Sequence, residues 1–177
     1  MTLDQKLALA NVIGTWLASI GTIAAVIVSL WLVRRTGRIQ LKIESTTALI
    51  CPDGRMVRCI VISVTNLGDR TVTITNIRWK IGKGKSLTEN LQFFSLSLGS
   101  TQFPTELEHG KSGHYFLELF REDEHNWEQP FILGFVKDLS PKHLDTLRIE
   151  IKTSIGQMVQ VRPGKQVLEF IKNHKFN

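Results

Sequence analysis

The sequence predicts a mainly β protein: an N-terminal transmembrane helix, then an antiparallel β-sandwich, immunoglobulin-like or barrel-like, closed by a short C-terminal helix. Three observations predict it. Residues 12–33 run without a charge and Arg34-Arg35 follows directly. Beyond Arg38 the apolar period falls to two, as in Ile39, Leu41 and Ile43 against Gln40, Lys42 and Glu44. Turn chemistry then recurs about every ten residues, the cadence of short antiparallel strands.

Residues 12–33 make a stretch of 22. At about 1.5 Å per residue it spans roughly 33 Å, close to the ~30 Å hydrocarbon core of a bilayer. It exceeds a signal-peptide core, and no A-x-A cleavage pattern stands at its C-terminal end. Thr2 and Gln5 have the spacing of a capping box. Trp16 and Trp31 stand about 22 Å apart along the axis, and both, with Arg34, Arg35, Arg38 and Lys42, are expected at the membrane interface, Trp16 the deeper of the two rings. These four basic residues supply most of the formal charge of +6. The positive-inside rule then puts the C-terminal domain in the cytoplasm and the N-terminus outside, a single-pass protein of a bacterial inner membrane. Gly14, Ala18, Gly21, Ala25 and Ser29 recur at steps of three and four, which forms one seam suited to helix–helix contact in lipid. With no charged residue inside the run, ion or proton coupling is not expected of this helix.

The remaining elements follow in order. Asp53-Gly54 closes a hairpin that sets Ala48 opposite Cys59, and free thiols at Cys51 and Cys59 fit a reducing compartment. Met56 to Thr65 reads as a buried strand, Asn66-Leu67-Gly68-Asp69 as a turn, and Val72 to Ile81 as a third strand with a bulge near Thr75-Asn76. Phe94, Leu96 and Leu98 suggest a fourth strand, Phe103 to Leu107 a fifth and Tyr115 to Leu119 a sixth. Leu147 to Ile151 and Met158 to Val161 give the seventh and eighth, and Val167, Phe170 and Ile171 have helical spacing after Pro163. Residues 121–143 read as an acidic loop followed by an apolar stretch. The divisions are a tail and membrane helix over 1–35, a basic juxtamembrane segment over 36–43 and a cytoplasmic β domain over 44–177. No glycine-rich linker separates the domain from the bilayer.

Chemistry is sparse. Gly82-Lys83-Gly84-Lys85-Ser86 lacks the glycine that a phosphate loop needs at the position of Trp79; with Arg78 and Lys80 it suits a charged hairpin able to meet anionic headgroups. Glu106, Glu108, His109 and His114 straddle a turn without metal-ligand spacing, so no metal or other cofactor is expected. Glu122, Asp123, Glu124 and Trp127 form an acidic, aromatic-bearing loop suited to docking a partner. No nucleophile motif occurs, and the β domain's near-balanced charge argues against nucleic acid as a partner.

Trp16 through Ile20-Gly21-Thr22, Leu30-Trp31-Leu32, the segment Thr65-Asn66-Leu67-Gly68-Asp69-Arg70-Thr71-Val72-Thr73-Ile74 and Thr153-Ser154-Ile155-Gly156 together resemble a loose group of bacterial single-span membrane proteins with a C-terminal β-sandwich and no assigned activity. The resemblance implies architecture alone. The function expected from the residues is a membrane-anchored, non-enzymatic binding or scaffold module. It would touch membrane lipid, associate with itself or another membrane protein through the helix, and bind a protein or small ligand with its β domain. A membrane-disrupting effector of phage defence or a toxin system is one alternative, and a membrane-tethered enzyme the other.

Overall fold

The structure, a computed structural model, describes residues 3–36, 39–119 and 130–173. It divides into two units, Met1–Arg38 and Ile39–Asn177.

The first unit is one long helix, α1, Leu3–Thr36. Its residues 3–33 are long and apolar enough to cross a membrane by length and composition. Every described side chain along it is exposed. Its hydroxyls bond inside the helix: Thr15, Ser19, Thr22 and Ser29 each donate to the carbonyl four residues earlier, at 2.8–2.9 Å. Such back-bonding satisfies a polar side chain without water.

The second unit is built from two antiparallel sheets. The first orders β1 (Leu41–Ile50), β2 (Val57–Asn66) and β6 (Ser112–Glu118) as β1-β2-β6. The second orders β4 (Thr88–Leu91), β3 (Val72–Ile81), β7 (Arg148–Thr153) and β8 (Met158–Val161) as β4-β3-β7-β8, with β5 (Thr105–Leu107) also paired to β3. Ala48 pairs with Cys59 as the Asp53-Gly54 hairpin requires, although the turn widens into a short 3₁₀ helix, Pro52–Gly54. The register slips between Ile74 and Asn76, where the alternation of β3 changes phase.

Alternate residues from both sheets feed one apolar cluster: Ile60, Ile62 and Val64 of β2, Tyr115 and Leu117 of β6, Ile74, Ile77 and Trp79 of β3, and Ile149 and Ile151 of β7. Trp79 meets the edge of Phe131 at 5.1 Å. That ring comes from a π-helical segment, Pro130–Val136, which buries Phe131, Ile132, Phe135 and Val136. A short helix follows, α2 (Pro141–Leu144), where Ser140 caps by accepting from the His143 N–H. The final helix, α3 (Lys165–Lys172), buries Val167, Leu168 and Ile171; of the three residues expected from spacing, Val167 and Ile171 are buried and Phe170 is partly buried.

One strand differs from the sequence reading. The fourth strand is Thr88–Leu91, while Leu96–Leu98 forms a 3₁₀ turn. Phe94 turns inward to Phe103 and Tyr115, at 6.2 and 5.4 Å, as the chain passes from one sheet to the edge of the other. Its alternation with Leu96 and Leu98 therefore reflects packing by a crossing segment. The true strand is polar because it is short and lies at an edge, so it has no apolar rhythm to read.

The edges of the three-stranded sheet are dressed. Residues 95–101 run beside β6, with the Ser95 and Thr101 N–H groups donating to Phe116 and His114 carbonyls. Along β1 lies the start of α3, where the Gly164 N–H donates to Ser45 Oγ at 2.8 Å.

Candidate functional site

On α1, Gly14, Ala18, Gly21, Ala25 and Ser29 fall within an arc of about 80° at 100° per residue, so they form one face. A β-carbon added at Gly14 or Gly21 would meet nothing within 4 Å in the chain. Trp16 and Trp31 are exposed on the same helix. Arg34 and Arg35 occupy its last turn, with side chains outside the described part, and Arg38 lies outside the described residues. Lys42 belongs to β1, where its ammonium sits 2.9 Å from Glu44. The proposed docking residues Glu122, Asp123, Glu124 and Trp127 lie outside the described residues.

The five-stranded sheet carries an ion-pair row on the face away from the core. Glu89 of β4 reaches both Arg78 and Lys80 of β3 at 2.7 Å. Glu150 of β7 lies 2.8 Å from Lys80 and 3.4 Å from Arg78, and accepts from Gln160 of β8 at 2.7 Å. Strand register makes this row: Lys80 faces Glu89, Arg78 faces Glu150, and Glu150 faces Gln160. Glu150 is fully buried beneath its partners. The hydrogen bond from Lys80, then that from Arg78, holds the Glu89 carboxyl below its usual range. The Lys80 ammonium is pushed up chiefly by its bond to Glu150 and then by Glu89, against a smaller desolvation effect.

This row revises the role considered for the basic hairpin. Arg78 and Lys80 face carboxylates, which leaves Lys83 and Lys85 as its exposed cations. The hairpin closes as a 3₁₀ turn, with the Gly82 N–H donating to Thr146 Oγ1 at 2.9 Å.

Across the outer face of the other sheet, Glu44, Ser63 and His114 are register neighbours, and Ser63 Oγ lies 3.0 Å from His114 Nδ1. Serine stands between the acid and the imidazole, whereas a relay needs imidazole in the middle. Because β2 pairs on both sides, its backbone donors are used by the sheet, so no oxyanion pocket forms there. The arrangement is a polar cross-strand pair. His109 instead bonds the Gly68 carbonyl through Nδ1 at 3.2 Å, and Glu106 pairs across to Thr73, so the four residues of the metal-like cluster are not gathered around one point. Among the described residues no group of three His, Cys, Asp or Glu side chains could hold a metal.

A hollow lined by Thr47, Ala48, Leu49, Arg58 and Phe170 is open and about 220 Å³, below the usual range for small-molecule sites. Cys59 is buried on the outer side of β2, where its thiol is pushed up first by burial and then by the nearby Glu118 charge. Sequence reasoning missed the Glu150 row and the Ser63–His114 pair, since both depend on register between distant strands. Single acidic residues in Val/Ile-rich runs, as Glu150 is between Ile149 and Ile151, were the available signal.

No protein-family model and no curated protein matches this chain. Solved structures that match include the Northeast Structural Genomics Consortium target SoR45, 10% identical with a TM-score of 0.32 over 68% of this chain and 80% of that one. Another is a Bordetella pertussis protein provisionally named ApaA, 13% identical with a TM-score of 0.31 over 70% of this chain and 87% of that one. Likeness at this level carries nothing over to function.

Proposed function

We propose that this chain is a membrane-anchored, non-enzymatic binding or scaffold module, with α1 crossing a bacterial inner membrane once and the two sheets forming a cytoplasmic β-sandwich. The observation that carries this reading is the exposure of α1: a stretch of 31 apolar-rich residues, Leu3–Val33, with none of its most apolar window buried. A helix apolar all round needs lipid or other helices to cover it. Self-satisfied hydroxyls at Thr15, Ser19, Thr22 and Ser29 support that setting. The seam of Gly14, Ala18, Gly21, Ala25 and Ser29 supplies the contact by which the module would associate with itself or with another membrane protein. The β unit would then present its polar faces, together with the acidic loop, to a protein or small ligand.

Alkaline-carbonate extraction of membranes, combined with fluorescent-protein and alkaline-phosphatase fusions after Asn177, tests the anchor and its orientation. Retention in the pellet with fluorescence and no phosphatase activity is the expected result. Release into the supernatant, or phosphatase activity, overturns the cytoplasmic anchored reading. Gly14→Ile with Gly21→Ile tests the seam. Because neither position meets anything within the chain, lost association would report a partner contact, and unchanged oligomeric state would remove the seam from the proposal.

A further inference from the structure

We propose that the end of the β unit where the chain enters is itself a lipid-contacting surface, with Leu67 and Ile155 reaching into the interface of the bilayer that holds α1. This rests on the anchored reading above and goes beyond it by adding a second point of contact with the same membrane.

Three turns gather at that end. The β2–β3 turn, residues 67–71, the β5–β6 turn, residues 108–111, and the β7–β8 turn, residues 154–157, all close where β1 begins. The chain arrives there too, since the Leu67 N–H donates to the Gln40 carbonyl at 2.7 Å. From Thr36, the last residue of α1, to Gln40 a fully extended chain reaches about 14 Å. With α1 in a bilayer, this end is tethered close to the headgroups whatever the angle between helix and sheets.

The turns are built to hold their tips out. Asn66, fully buried, donates through Nδ2 to the Arg70 and Leu107 carbonyls at 2.7 and 2.8 Å and accepts the Gly68 N–H at 2.9 Å. Its own N–H and carbonyl tie to Lys111 and Gly110 of the neighbouring turn. The third turn is pinned to β3 by the Ser154 N–H on the Thr73 carbonyl, 2.9 Å, and turns at Gly156 in a left-handed conformation. On this braced frame Leu67 is 49% exposed and Ile155 74% exposed. Turn positions ordinarily take Gly, Asn, Asp or Ser, so an exposed Leu and an exposed Ile at two neighbouring tips stand out.

Exposed apolar side chains also occur elsewhere, at Met56 and Phe93 for example, so exposure alone decides nothing. Position separates Leu67 and Ile155 from those: two rigid apolar tips share the end joined to the apolar helix. Arg70 and Lys111 flank them and are offset by Asp69 and Glu108, so the attraction is chiefly apolar, with the two cations placed to meet phosphate. The exposed Lys83 and Lys85 lie at the far end of β3, about 30 Å away along the strand, and would not touch this surface.

The test uses the full chain with Cys51→Ser, leaving buried Cys59 as the native thiol. An environment-sensitive fluorophore is attached at Leu67→Cys, Ile155→Cys, Lys85→Cys or Ser19→Cys. Each protein is reconstituted in phosphatidylethanolamine–phosphatidylglycerol vesicles carrying either a shallow nitroxide lipid, which reads positions 67, 85 and 155, or a nitroxide deep on the acyl chain, which reads position 19. The expected result is loss of fluorescence at positions 19, 67 and 155, with position 85 unaffected. Loss at 19 alone would overturn the second contact while the anchor stands, as would loss at 85 equal to that at 67 and 155. No loss at 19 would overturn the anchored reading and this inference with it.

Discussion

Gly164 passes so close to Ser45 that a β-carbon at residue 164 would sit 2.0 Å from the Ser45 carbonyl oxygen. The obstacle is backbone of β1, which cannot swing aside as a side chain would. The Gly164 N–H meanwhile donates to Ser45 Oγ at 2.8 Å, so the same approach that excludes a side chain makes the bond that starts α3. Gly164→Ala is therefore expected to push α3 off β1 at a cost of about 1–3 kcal/mol, the range for an overpacked contact. Chemical denaturation followed by circular dichroism of the β unit's signal in the full chain would measure it. Unchanged stability would mean that β1 yields more easily than a paired strand should.

Glu150 and Glu89 flank the same two cations and are expected to respond very differently to substitution. Glu150→Gln removes a buried charge between Arg78 and Lys80, leaving them only Glu89, and is expected to cost about 2–3 kcal/mol. Glu89 is 37% exposed, so Glu89→Gln is expected to cost about 1 kcal/mol or less. Denaturant midpoints for the two variants, compared at neutral pH, check the order. Equal costs would mean that water reaches Glu150 as readily as Glu89.

The same row predicts a pH response. Glu89 has its carboxyl lowered from 4.5 by Lys80 and Arg78, so its contribution is complete above that value and is lost as pH falls through the lower folded value. Lys80, raised from 10.5, contributes fully below that value and loses its contribution as pH rises through the higher folded one. The wild-type protein should therefore lose stability at both extremes through this row. Glu89→Gln should flatten part of the acid limb, read from denaturant midpoints across an acid titration.

The two thiols should separate kinetically. Cys51 is exposed, whereas Cys59 is buried and has its thiol raised by burial and Glu118. Thiolate is the reactive form. Iodoacetamide followed by mass spectrometry should modify Cys51 in the folded protein, and Cys59 only once denaturant is added. Equal rates would place Cys59 in contact with solvent.

Periodicity made most of the β unit legible. Val72 to Ile81 could be read down to its bulge because β3 is central and its inward residues must be apolar, and the Ala48–Cys59 pairing followed from turn position alone. Leu96–Leu98 carries a strand's alternation yet forms a 3₁₀ turn, because a crossing segment can alternate without being a strand. Register between strands far apart in the chain was not legible, and the Glu150 row and Ser63–His114 are both products of register. The π-helical segment Pro130–Val136 showed only as an apolar run, whose period is too short-lived to classify.

The dressed edges of the three-stranded sheet have a consequence for crowding. The proposed anchor would confine copies to two dimensions and raise their local concentration, and an open ten-residue edge such as β1 would invite one copy to zip onto the next. With α3 laid along β1 and residues 95–101 along β6, that polymerising route is closed. The second sheet ends in four-residue strands, β4 and β8, which offer little template. Copies brought together by the proposed anchor would stay discrete, free to cluster and disperse without growing into fibres.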